Sequence, residues 1–223
     1  MSIPNTFRPV CGPAGELPPG FRRLAAISAP GNANDNPTHS IDTGVVPTLT
    51  TIFEATITYT ELGENVMYNG AATLDIGKFN DCRFHFGVGK AQRQFSALMF
   101  DIYGVEGIIY GYPTQGRQYT LKLDANTDSL HIDGTAYVVP YQNKTLFNVT
   151  SALLLFARSR SGRPDDQHHD MRLHRARIWD GGELVRNLVP ARRDADGVCG
   201  MFDTVQSDFL TNATSNANFL SHG

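Results

Sequence analysis

The chain has few cysteines, one tryptophan, little net charge and no long apolar run, and each scarcity excludes something. Its three cysteines, Cys11, Cys82 and Cys199, are scattered through 223 residues with no Cys-x-x-Cys pair. Neither a disulfide framework nor a zinc knuckle fits that pattern. Ala152 to Ala157 is the longest fully apolar stretch, far short of the roughly 20 residues that span a bilayer. The opening MSIPNTFRPVCGPAGE lacks an apolar segment behind a basic start, so no secretory signal or transmembrane segment is expected. Nineteen basic residues against 22 acidic ones give a net charge of −3, with neither half of the chain a basic arm. A general nucleic-acid binder is therefore not expected.

Glutamate is scarce too. The six are Glu16, Glu54, Glu61, Glu64, Glu106 and Glu183. Hydrolysis of a glycosidic bond needs two carboxyl groups, about 5–5.5 Å apart for retention and farther for inversion. A strand supplies them by alternation, and no Glu-x-Asp-x-x-Glu run exists here. No Gly-x-Ser-x-Gly elbow is present either. The expectation is a chain that is not an enzyme, with a polysaccharide hydrolase as a distant alternative.

What is abundant is turn chemistry and alternation. Gly 21 and Pro 12 occur without a collagen-like period, which points to many tight turns. Period-2 patterns run from about residue 50. They place Phe53, Ala55, Ile57 and Tyr59 on one face against Glu54, Thr56 and Thr58. The same rhythm sets Cys82/Phe84/Phe86/Val88 against Arg83/His85, Leu98/Phe100/Ile102 against Asp101, Tyr119/Leu121/Leu123 against Thr120/Lys122, and Leu130/Ile132 against His131/Asp133. Between them lie turn signals such as Asp124-Ala-Asn, Asp133-Gly and Asp180-Gly-Gly. The fold class predicted is all-β, an antiparallel β-sandwich or barrel. No amphipathic helix is evident beyond a possible single turn within 203–210. In Met171 to Asp180 the inward set Leu173, Ala176, Ile178 keeps phase only if His174 and Arg175 share a β-bulge. Trp179, next to inward Ile178, should then face outward. Residues 1–16 hold Pro4, Pro9 and Pro13 without alternation and read as an extended N-terminal arm, a possible docking segment, ahead of one domain spanning 17–223.

Several segments then resemble a known family. Leu17-Pro-Pro-Gly-Phe, Ile41-Asp-Thr-Gly, and the closing run Arg177-Ile-Trp-Asp-Gly-Gly-Glu-Leu-Val-Arg-Asn-Leu-Val-Pro, Asp196-Gly-Val-Cys-Gly-Met-Phe-Asp and Asp208-Phe-Leu are similar to the opening and ending of the concanavalin A-like (LamG-like) jelly-roll domains of bacteriophage and prophage virion proteins. The resemblance covers roughly residues 16–223, with the middle matching in strand rhythm. It implies a jelly-roll sandwich and a non-enzymatic virion component. Such a protein would be made in the host cytoplasm, assembled as a homo-oligomer, held to other virion proteins by its arm, and would display a lectin-like domain for glycan or host-surface attachment. A purely structural capsid-decoration or tail-assembly module is the alternative. Most motif residues just named also serve as turn and strand-end determinants, whatever the family.

Two candidate sites follow from residue type. Tyr103, Tyr110, Tyr112 and Arg117 cluster in a glycine-rich stretch and offer aromatic surface with a polar group, as a saccharide site requires. Asp165, Asp166, His168, His169 and Asp170 gather hard and borderline ligands on a predicted loop, where a divalent cation could sit. Solvation or a subunit contact would explain the same loop, and no other cofactor is expected.

Overall fold

The computed structural model describes residues 16–29, 39–60, 67–73, 82–88, 95–99, 111–139, 149–160, 163–165, 171–215 and 217–223. The strands, in chain order, are β1 (Phe21–Arg23), β2 (Ala26–Ser28), β3 (Ile41–Asp42), β4 (Ile52–Tyr59), β5 (Met67–Thr73), β6 (Cys82–Val88), β7 (Phe95–Met99), β8 (Gln118–Asp124), β9 (Ser129–Ile132), β10 (Thr135–Val138), β11 (Leu154–Leu155), β12 (Arg158–Arg160), β13 (Arg163–Asp165), β14 (Met171–Asp180), β15 (Glu183–Arg193), β16 (Cys199–Asp203), β17 (Asp208–Leu210) and β18 (Leu220–His222). No helix occurs among the described residues. Residues 204–207, where a turn of helix was expected, form the tight reversal of the β16–β17 hairpin, with Ser207 at φ +59°.

The strands form two sheets. The larger runs β10-β9-β8-β4-β14-β15-β16-β17, with β1 beside β15 and β2 and β18 joined to β14's other end. The smaller runs β13-β12-β5-β11-β3, with β6 and β7 continuing from β5. Every ladder is antiparallel except β12 against β5. The alternation read in the sequence sorts side chains onto the two faces. Phe53, Ile57, Leu121, Leu123, Leu173 and Ile178 of the large sheet and Phe84, Phe86, Phe95 and Ala97 of the small one are buried in one core. Phe53 and Phe86 meet across it with ring centroids 4.8 Å apart, and Phe95 meets Tyr119 at 4.9 Å. This is an antiparallel β-sandwich, with apolar inner faces excluding water between the layers. In β7 Phe95 and Ala97 are buried, at positions paired with Val88 and Phe86 of β6, alternate to the expected Leu98/Phe100/Ile102 set. Phe100 and Ile102 lie outside the described residues.

The expected bulge is present. Against β4, Leu173 pairs with Ile57 and Arg175 with Thr56, so His174 is the extra residue. Ahead of it Met171 and Leu173 point inward, and after it Ala176 and Ile178 do. A second register shift lies between Ile178 and Trp179 against β15, where Val185 is the extra residue. The turn signals also have structural work. Gly181 and Gly182, at φ +58° and +86°, close the β14–β15 hairpin, and Asp133 and Gly134, at +49° and +86°, close β9–β10. Both pairs have the two positive φ values that match the strands' twist.

The remaining motifs stabilise the frame. Leu17-Pro-Pro-Gly-Phe folds as a turn, with the Phe21 amide donating to the Pro18 carbonyl at 3.3 Å. It lays Phe21 edge-on against Phe202 and Phe209, 5.0 Å from each. With Leu17, Val189 and Ala191 these rings form a second, smaller apolar cluster on the outer side of the large sheet. In Ile41-Asp-Thr-Gly, Ile41 enters the main core and Asp42 Oδ1 accepts from the Gly44 amide at 2.8 Å. Asp203, fully buried, accepts from Arg186 Nη1 at 2.9 Å and from the Asn187 and Val205 amides at 3.0 Å each. That full set of donors offsets the cost of desolvating a carboxylate.

Candidate functional site

Chemistry-bearing side chains concentrate on the outer face of the large sheet, along β14. The bulge turns two consecutive residues, His174 and Arg175, to that face, and alternation then adds Arg177 and Trp179. Arg175 donates through Nε and Nη2 to Asn187 Oδ1 at 3.0 and 2.9 Å. Arg177 donates through Nε to Glu54 Oε1 at 2.8 Å, and its Nη2 bonds the same oxygen. The Arg177 guanidinium also lies over the Trp179 ring, 5.0 Å from the centroid. Paired positions across five strands thus form one row, His131–Lys122–Glu54–Arg177–Asn187. A parallel row runs Asp124–Ile52–Trp179–Leu184, joining the tryptophan to two aliphatic side chains, of which Leu184 is exposed. Just beyond Trp179 the chain turns at Gly181 and Gly182, and nothing among the described residues lies within 4 Å of a Cβ at either.

The electrostatics are mainly cationic. Burial, followed by the like charge of Arg177, holds the Arg175 guanidinium below its ordinary pKa; Glu54 opposes this and Arg23 adds to it. Lys122 Nζ lies 3.4 Å from Asp124 Oδ2. Burial first, then Lys122, lowers the pKa of His131, whose Nε2 lies 2.9 Å from Ser129 Oγ. Glu54 is thus paired with Arg177 and Asp124 with Lys122.

Of the residues singled out from the sequence, Tyr112 is 70% exposed, on the segment leading into β8. Arg117 donates to Asp133 Oδ2 at 2.8 Å and covers the Tyr119 ring at 4.7 Å. It therefore braces the β9–β10 turn. Tyr103 and Tyr110 lie outside the described residues. So do Asp166, His168, His169 and Asp170, while Asp165 closes β13 opposite Arg158. No cluster of three or more metal-ligating side chains occurs among the described residues. Residues 1–15 of the arm are outside them as well. Trp179 faces outward, as expected. Arg177 pairs with Glu54, more than a hundred residues away, and Arg175 with Asn187.

Two other polar clusters are structural. Burial pushes the Asp180 carboxyl up, but the hydroxyls of Thr48, Thr50 and Thr51 and the Gly181 amide outweigh it and hold the carboxyl below its ordinary value. This ties the loop ahead of β4 to the β14–β15 turn. A cavity of about 180 Å³ lined by Arg193, Cys199, Thr211, Asn212 and Asn218 uses its amides to hold the 211–219 segment: Asn218 Oδ1 accepts from the Cys199 amide at 2.7 Å, and Asn212 Nδ2 donates to the Ala217 carbonyl at 3.0 Å.

No family model and no curated protein matches the sequence. A solved structure of a point mutant of NanB sialidase from Streptococcus pneumoniae is similar over 74% of this chain and 27% of its own length, at 10% identity and a TM-score of 0.42. The chain thus spans about a quarter of that protein. A likeness of this size bears on neither fold nor activity. No helix among the described residues is long and apolar enough to cross a membrane.

Proposed function

We propose that this chain is a non-hydrolytic, lectin-like attachment module that binds glycan on the outer face of its large sheet, around Trp179. The observation that carries this reading is the adjacency of a half-buried, outward-facing indole to a row of oriented guanidinium and amide groups on the same face. Sugar rings present C–H groups that stack on an aromatic plane and hydroxyls that need fixed donors and acceptors. Arg175, Arg177 and Asn187 are fixed by one another and by Glu54, so their donors are ordered without a ligand. The matching of Glu54 and Asp124 with cations supports binding without bond cleavage.

The setting of such a module is a separate part of the proposal. The resemblance of the chain's two ends to phage concanavalin A-like domains supports a jelly-roll topology, placement on a virion, homo-oligomeric assembly and docking through residues 1–16. In the structure those motif residues build turns and small cores, which supports their role in the fold. Trp179→Ala is expected to lower glycan affinity at least tenfold on a glycan array while leaving the melting temperature within a few degrees of the parent. Unchanged binding by that variant would sink the assignment of the face.

A further inference from the structure

Resting on the glycan-binding reading, we infer that this face selects a neutral sugar through two adjacent hydroxyls, one donating to Glu54 and its neighbour accepting from Arg177. Glu54 lies mid-sheet and is only 9% exposed, its position on β4 paired with Lys122 of β8 on one side and Arg177 of β14 on the other. Arg177 directs both of its bonds, from Nε and Nη2, to the single oxygen Oε1. The other carboxylate oxygen, Oε2, accepts no hydrogen bond from any described residue and is not sealed from solvent, since the side chain keeps 12% of its surface exposed. A half-buried acceptor without a fixed donor gains when a ligand supplies one. The donors beside it are already oriented. Arg177 leaves Nη1 without a bond to any described residue, while its guanidinium is held by Glu54 and lies over Trp179. On the other flank Lys122 Nζ lies 3.4 Å from Asp124 Oδ2, and an ammonium has three donors to place. Across the three strands the order is therefore donor, acceptor, donor. A hydroxyl both donates and accepts, so two on neighbouring ring carbons satisfy Oε2 and Nη1 together. A carboxylate or sulfate group only accepts, and it would meet the Glu54 carboxylate as a like charge. Trp179, two residues beyond Arg177 on the same face, gives the C–H groups of that sugar ring an aromatic surface.

The test applies the full chain to a glycan array in two copies, one intact and one treated with periodate and then borohydride, which cleaves between carbons bearing adjacent hydroxyls. Glycans bound on the intact copy should be neutral, and the treated copy should bind about tenfold or more weakly, the factor expected for losing one hydrogen bond to a charged group. Glu54→Gln keeps an acceptor for Arg177 but puts an amide donor in the place of Oε2. It should weaken binding by about the same factor with a melting temperature within a few degrees of the parent. The treated array uses unaltered protein, so it keeps the test valid should Glu54→Gln fold poorly. Binding that survives periodate, or that is confined to glycans bearing carboxylate or sulfate, would overturn the diol assignment; if Trp179→Ala still abolishes such binding, the glycan-binding face stands. If no glycan binds, or if Trp179→Ala binds as the parent does, the face itself falls and the diol assignment with it.

Discussion

At the scale of single residues, histidines are the groups whose surroundings make a pH-dependent statement. His174 sits in the bulge with Nε2 2.9 Å from Thr58 Oγ1 and Nδ1 3.0 Å from the Ala25 carbonyl. His222 Nε2 lies 2.9 Å from Ser28 Oγ, and His39 Nε2 lies 3.2 Å from the Asn218 carbonyl, with its ring 5.3 Å from that of Phe219. Burial is the largest influence on all three and lowers each pKa from 6.5. Arg172 adds to this at His174 and His222, whereas backbone acceptors oppose it at His174 and His39. A histidine whose pKa is lower folded than unfolded gives stability that is complete above the unfolded value and declines as pH falls below it. The melting temperature should therefore be flat above about pH 7 and drop as pH falls through 6.5. Replacing His174 and His222 together by glutamine should flatten that drop. A double variant that keeps the full acid dependence would show that other groups set it.

At the scale of elements, β14 shows what one extra residue does. Deleting His174 would remove the bulge and shift either Met171 and Leu173 or Ala176 and Ile178 to the outer face. Misplacing Met171 and Leu173 costs several kcal/mol, at about 1.5–3 kcal/mol each, and misplacing Ala176 and Ile178 costs less because alanine buries little area. The deletion is expected to leave no cooperative thermal transition, while His174→Ala, which keeps the residue count, should retain one. Circular dichroism melting of the two variants makes the comparison.

This element was legible in the sequence because phase is a one-dimensional property: Leu173, Ala176 and Ile178 carry the break by themselves. The hairpin turns at Asp133-Gly and Asp180-Gly-Gly were legible for the same reason, since positive φ is a local demand. The candidate site was not. Glu54 and Arg177 meet through strand order, which local alternation does not encode, and Asn187 reaches Arg175 only once β15 has its register. In β7 both parities carry apolar residues, so alternation alone does not choose between Phe95/Ala97 and Leu98. Arg117 looked like a ligand group because the sequence does not show that Asp133 receives it.

At the scale of the whole molecule, the two sheets depend on one another. Phe86 from the small sheet packs on Phe53 from the large one, both fully buried. Phe86→Ala would open a cavity between the layers and cost about 3–5 kcal/mol. Because the core is shared, fluorescence from Trp179, on the large sheet, and far-ultraviolet dichroism from both sheets should report one coincident transition at a lower denaturant midpoint. Two separated transitions in that variant would mean that the sheets fold independently.

The placement of β14 has a last consequence, for the timing of backbone opening and for binding entropy. β4 flanks one edge of this strand, and β2 and then β15 flank the other. Its amides therefore have partners on both sides, and their exchange with solvent requires opening of the sheet as a whole. The residues proposed to meet ligand are thus borne by a strand among the slowest to open. A ligand arriving at Arg175, Arg177 and Trp179 meets backbone that is already ordered, so little of its interaction energy is spent on ordering the protein.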